Sequence, residues 1–158
     1  MEKLYHSYIA YPNDIQVHRA HRVKFCDNKI LPYEKWTKHI KEETARYDNF
    51  LTGVGGVLYP PNCYTPEVFR EDIFLKYLPD ADDIWFWTMA LVSGRKIRVV
   101  KNHIKGLRCV DFLGQIGLFK KKTLYLKNMN GGNDKQLEEV LKLYGRNIFA
   151  RLREYNKS

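Results

Sequence analysis

Thr52-Gly-Val-Gly-Gly-Val-Leu-Tyr-Pro-Pro61 is a glycine-rich apolar segment closed by a double proline. Its β-branched and aromatic residues favour a buried strand over Gly53 to Tyr59, and Pro60-Pro61 forbids extension of that strand. Adjacent glycines inside an apolar strand mark either a bulge or a place where a ligand or another backbone comes close. No lysine-serine or lysine-threonine pair follows them, so this is not a phosphate-binding loop.

On the C-terminal side, Thr65-Pro66 reads as a helix start, with a hydroxyl N-cap and proline at the first helical position. Ala81-Asp-Asp-Ile-Trp-Phe-Trp87 then opens a helix expected over Asp82 to Ser93. That stretch is apolar all round, so it should be buried, and Gly94 should stop it. A short strand over Ile97 to Val100 follows, then irregular chain over 101–132 that includes the Lys120–Lys122 run. Asn133-x-x-Gln136 resembles a capping box. It heads a helix with Leu137, Val140, Leu141 and Tyr144 on one stripe, which Gly145 should end before a basic helical tail.

On the N-terminal side, Leu4, Tyr5, Tyr8 and Ile9 have helical spacing over residues 2–10, closed by Pro12. Asp14 to Phe25 alternates, which predicts one strand with Ile15, Val17, Arg19, His21, Val23 and Phe25 on one face. Gln16, His18, Ala20, Arg22 and Lys24 take the other face. Asp27-Asn28 should turn the chain. Residues 29–49 read as a polar excursion containing a short helix.

At 158 residues the chain is expected to form a single domain, 1–158. It is 44% hydrophobic and 14% aromatic, enough for a real core and too aromatic for a disordered segment. No apolar run approaches the ~18 residues of a membrane span, and Met1-Glu-Lys-Leu-Tyr-His has no signal-peptide character. Cys26, Cys63 and Cys109 are odd in number and far apart, which points to reduced, mostly buried thiols in a cytoplasmic setting. The net charge of +9 is uneven. Residues 1–94 hold 11 basic and 13 acidic side chains, and residues 95–158 hold 16 and 5. The basic end implies an anionic partner or simply a solvated face.

Asp82 and Asp83 carry the chemistry if any residues do. A carboxylate at a rigid helix start can take the proton from an attacking hydroxyl, and the helix dipole favours its ionised form. The same residues also serve as ordinary helix caps. His18 and His21 lie three apart on a strand, point to opposite faces and cannot chelate together.

The glycine segment followed by the acidic pair before an aromatic helix resembles the acceptor-side half of glycosyltransferases with the GT-A fold, of the family-2 type that builds bacterial polysaccharides. The resemblance also takes in His18-Arg-Ala-His21 and Asn133-Asp134. It implies an α/β architecture, a partial GT-A mixed sheet with flanking helices that lacks the N-terminal nucleotide-binding half. It makes Asp83 the base and Asp82 its neighbour or the cap. Gly53, Gly55 and Gly56 would form the cleft floor and Tyr59 or Trp85 a sugar platform, while His21 and Arg19 would line the cleft. Met1 falls just after the point where the relatives' metal-binding acidic cluster would sit. The chain alone is therefore expected to bind no metal. Mn2+ or Mg2+ and the nucleotide sugar would enter with an N-terminal donor-binding partner. Asp80-Ala-Asp82 opens a helix instead of following a strand and is not read as the metal motif.

The expected acceptor is a saccharide or a lipid-linked saccharide, reached in the cytoplasm or peripherally at the inner face of the membrane. An uncovered sheet edge also predicts self-association into a homo-oligomer. The alternative is a non-catalytic binding module whose basic C-terminal part meets anionic lipid or nucleic acid. Nucleic acid ranks low because the aromatics do not interleave with the lysines. A metal hydrolase built on His18, His21, Asp82 and Asp83 is a third reading.

Overall fold

A computed structural model describes residues 1–103 and 131–155. Helix α1 (Glu2–Ala10) leads into strands β1 (Ile15–Val17), β2 (Ala20–Arg22), β3 (Phe25–Cys26) and β4 (Lys29–Ile30). Strands β5 (Asn49–Leu51) and β6 (Val57–Leu58) flank a 3-10 turn, Gly53–Gly55. Helices α2 (Glu71–Tyr77) and α3 (Asp82–Val92), strand β7 (Ile97–Val99) and helix α4 (Asn133–Leu152) follow. The architecture is mixed α/β: small, partly mixed sheets with flanking helices. Strand β1 pairs antiparallel with β6 and parallel with β7, while β2 pairs antiparallel with β5. Backbone bonds between Arg46 and Ile97, and the Asn49 Nδ2 bond to the Ile97 carbonyl (2.8 Å), join the two sheets.

The single strand expected over Asp14 to Phe25 is three strands. The chain leaves the β6–β1–β7 sheet at His18-Arg19 and enters the pair with β5, so its hydrogen-bond partners change. The polar face is also covered. Gln16 is fully buried under α1, where it accepts from Ser7 Oγ (2.6 Å) and donates to the Tyr11 and Asp14 carbonyls. A buried side-chain amide is tolerable only with its hydrogen bonds made in this way.

Asp27 and Asn28 both have positive φ (44° and 65°) and form the two-residue turn of the β3–β4 hairpin. The excursion after it holds one 3-10 turn, Tyr33–Lys35. The continuous strand expected over Gly53 to Tyr59 is instead a 3-10 turn followed by the short β6. Thr65 does start a helical segment, a 3-10 turn over Pro66–Phe69. Its hydroxyl makes no cap there, and its N–H donates to Ser93 Oγ (3.0 Å).

Helix α3 is the core element. Ile84, Trp85, Trp87, Met89, Ala90 and Leu91 are buried, and Gly94 follows at φ +66° as an αL stop. Helix α4 packs against it and runs past Gly145 to Leu152, against the expected stop. Leu137, Val140, Tyr144, Ile148 and Leu152 form one buried stripe through the glycine. Burying two further side chains outweighs the ~1 kcal/mol cost of a mid-helix glycine. Asn133 is not the cap either, since Gly132 holds that position. Gln136, the other half of the expected box, accepts the Asp80 N–H (3.3 Å) and donates to the Gly132 carbonyl.

Cys63 is buried as expected, whereas Cys26 is exposed; Cys109 and the Lys120–Lys122 run lie outside the described residues. No helix among the described residues is long and apolar enough to cross a membrane.

Candidate active site

Asp82 and Asp83 occupy the first turn of α3, but neither is the cap. Ala81 holds the N-cap position without a side-chain hydrogen bond. The expectation of Asp82 as the cap is thus replaced by a tertiary contact of Asp83. Its Oδ1 accepts the Gly53 N–H at 2.7 Å. The turn Gly53–Gly55 directs that N–H at the helix start, so one carboxylate ties the glycine segment to α3.

The glycines are needed for space. A Cβ on Gly55 would lie 2.7 Å from Arg19 Cβ and 3.2 Å from the Arg19 nitrogen. Gly56 has φ +86°, in the left-handed region that side chains rarely adopt. Gly55→Ala therefore has nowhere to put its methyl group unless the turn or β2 shifts. It should cost about 1–3 kcal/mol, read as a lower urea midpoint with an unchanged slope. An unchanged midpoint would mean that the turn relaxes freely.

Burial raises the Asp83 pKa from the ordinary 3.8 to about 6, with Asp82 adding to the rise and the Gly53 N–H and Arg19 opposing it. The helix dipole does not keep this carboxylate at ordinary acidity. Desolvation wins, which suits a base working near neutral pH. The Tyr59 hydroxyl is pushed up by burial and then by the carboxylates of Asp83 and Asp82 beside it. Its ring packs on Tyr64 (5.6 Å) and Phe86 (5.4 Å) and is 37% exposed. Arg19, Gly53, Gly55, Tyr59, Asp82 and Asp83 thus converge at one place.

Two predicted cleft residues do not join them. Trp85 is 2% exposed, donates its indole N–H to the Val68 carbonyl (3.1 Å) and packs edge-on to Tyr144. It offers no open platform for a sugar. It does form part of the wall of an apolar cavity of about 430 Å3 between α2 and α3, with Phe69, Phe74, Leu75 and Phe86 in the lining and Asp82 at the edge. His21 is 2% exposed. Its Nδ1 accepts the His39 N–H (3.1 Å), and burial first, then Lys38, Arg19 and His39, lowers its pKa to about 3. It is a neutral core histidine. His18 is buried beside Gly56. Among the described residues, no group of three His, Cys, Asp or Glu side chains converges to hold a metal ion. Asp134, included in the resemblance, accepts the Tyr33 N–H (2.8 Å).

Lys38 and His39 were missed because they sit in a polar stretch with no periodicity. Only the backbone pairing of residues 37–40 with β2 brings them here.

Comparison with known proteins finds no matching family model, no matching curated relative and no matching solved structure.

Proposed function

We propose that this chain is the acceptor side of a sugar-nucleotide-dependent glycosyltransferase of the GT-A type. It would work with a donor-binding half, supplied by a longer chain or a partner, that brings the nucleotide sugar and Mn2+ or Mg2+. The observation that carries the reading is the Asp83 carboxylate, held by the Gly53 N–H at 2.7 Å and tuned to about 6 at the start of a buried helix. The small mixed sheet with flanking helices is of the α/β class that the reading requires.

In the proposed reaction an acceptor hydroxyl attacks the anomeric carbon of the donor sugar. The new C–O bond forms as the bond to the nucleoside diphosphate breaks, and the diphosphate leaves with the electron pair. Asp83 takes the hydroxyl proton. With Oδ1 committed to Gly53, Oδ2 is the receiving atom. Asp82 adds negative charge near an oxocarbenium-like transition state. Arg19 carries positive charge on the same side, and Tyr59 is the exposed aromatic against which a sugar can stack.

The test joins this chain to a donor-binding half and follows transfer of labelled sugar from a nucleotide sugar to a saccharide or lipid-linked saccharide. Transfer that disappears with Asp83→Asn supports the proposal. Transfer unaffected by that change removes the base assignment. No transfer, together with vesicle binding that falls steeply with salt, would favour the anionic-lipid binding module instead.

A further inference from the structure

A second cluster, Lys38 and His39, lies beside the chain that carries Arg19. Residues 37–40 run beside β2, held by Arg22 N–H to the Thr37 carbonyl (2.8 Å), Thr37 N–H to the Arg22 carbonyl (3.2 Å) and Ile40 N–H to the Ala20 carbonyl (3.1 Å). This pairing places Lys38 and His39 next to the end of β2 from which Arg19 projects. Lys38 Nζ sits 3.0 Å from the Tyr33 ring centroid and donates to the Tyr33 carbonyl (2.5 Å). The exposed His39 has φ +51°, and its ring stands edge-on to His21 at 5.1 Å. The Nε of Arg19 is buried without a hydrogen-bond partner among the described residues.

The electrostatics agree with the geometry. Burial comes first in lowering the pKa of Lys38 (to about 8) and of His39, and Arg19 adds to the lowering in both. The carboxylates facing the group are Asp134, which acts on Lys38, and Asp83, which feels Arg19. Each already accepts a backbone N–H, from Tyr33 and Gly53 respectively. Two cationic groups, Arg19 and Lys38, beside the imidazole of His39 and with a buried guanidinium N–H left over, are arranged for an anion with several oxygens. Phosphate matches an arginine fork backed by an ammonium.

We infer that Arg19, Lys38 and His39 form a recess that binds the phosphate or diphosphate of a substrate, next to the Asp83 base. The anion site stands on its own geometry; its assignment to a glycosyl donor or lipid-linked acceptor rests on the transferase reading. Arg19 orients the group next to Asp83, and Lys38 supplies the second positive charge.

The experiment is calorimetric titration of the purified full chain with inorganic pyrophosphate, then with a nucleoside diphosphate, then with a prenyl diphosphate in detergent. Saturable pyrophosphate binding is expected, weakened about tenfold by Lys38→Ala and by Arg19→Gln, the loss of one charged hydrogen bond each. Arg19→Lys keeps the stem that packs on Gly55, so it checks that the loss is not misfolding. Lys142→Ala, on the exposed face of α4, should change nothing. Tighter binding of either organic diphosphate supports the recess and tells donor from acceptor. No saturable binding, or equal loss with Lys142→Ala, overturns it. Asp83-dependent sugar transfer with pyrophosphate binding indifferent to Lys38→Ala would sink the recess and leave the transferase. Recess-dependent binding with no sugar transfer would do the reverse.

Discussion

The Asp83→Asn protein should be harder to unfold at pH 8 than the wild type, by about 2 kcal/mol, and should lose nearly all turnover. The stability gain follows from the raised pKa. In the unfolded chain Asp83 titrates at its ordinary value of 3.8, and in the folded protein at about 6. Well below pH 3.8 both states carry the proton and the group contributes nothing. Between pH 4 and 6 the folded state holds more protons than the unfolded state, so rising pH destabilises it. Above pH 6 the full cost applies, about 3 kcal/mol for a shift of roughly two units.

Asparagine keeps an oxygen for the Gly53 N–H and abolishes the ionisation, which recovers most of that cost. Urea unfolding of both proteins from pH 4 to pH 8 should show the two curves converging towards the acid end and separating through pH 5–6. A variant less stable at pH 8 would show that the ionised carboxylate holds the glycine turn and is not a burden on it. Turnover, in the joined enzyme, should fall by about 10²–10⁴. The wild-type rate should rise with pH and level off above about 6. Stability given up at a residue that activity requires is the expected trade at a functional site.

The second large effect belongs to Trp87. It is fully buried in the middle of α3, packs on Phe50 (5.7 Å) and donates its indole N–H to the Tyr47 carbonyl (3.0 Å). Trp87→Ala should cost about 3–5 kcal/mol through lost burial and the cavity left behind. The orphaned Tyr47 carbonyl adds to the loss. Against a typical total of about 5–15 kcal/mol this brings the domain close to unfolding at room temperature. Trp87→Phe keeps much of the ring volume and loses only the hydrogen bond and part of the packing, so its midpoint should fall between the two. If Trp87→Ala lowers the midpoint no more than Trp87→Phe does, the core has collapsed around the gap and α3 is not the rigid support assumed for Asp83.

Punctuation and uniform patterns were legible in the sequence. Asp27-Asn28 made its hairpin turn, Thr65-Pro66 opened a helical segment, and Gly94 ended a helix whose all-apolar composition announced its burial. Each depends on the local conformational limits of one or two residues, or on the simple absence of a polar face. The readings that failed were those in which a local signal competed with burial elsewhere. Gly145 is an ordinary helix breaker that Ile148 and Leu152 override by extending a buried stripe. Asn133 and Gln136 have cap chemistry, yet Gln136 bonds Asp80 across the fold. The alternation in Asp14 to Phe25 marked extended chain correctly but did not show the break at His18-Arg19, the change of partner strand or the burial of both faces.

The candidate site divides along the same line. The sequence by itself determined that an acidic pair opens a buried aromatic helix and that a glycine-rich segment allowing close approach precedes it. Those properties reside in single residues and their immediate neighbours. That this segment is a turn and not a strand was decided by the fold. Tertiary structure alone decided that Asp83 meets the Gly53 N–H, 30 positions away, and that its surroundings lift its acidity towards neutrality. It also withdrew His21 and Trp85 into the core and brought Lys38 and His39 to Arg19. Desolvation and charge coupling depend on which groups lie within a few ångströms of one another, and that proximity exists only once the chain has packed.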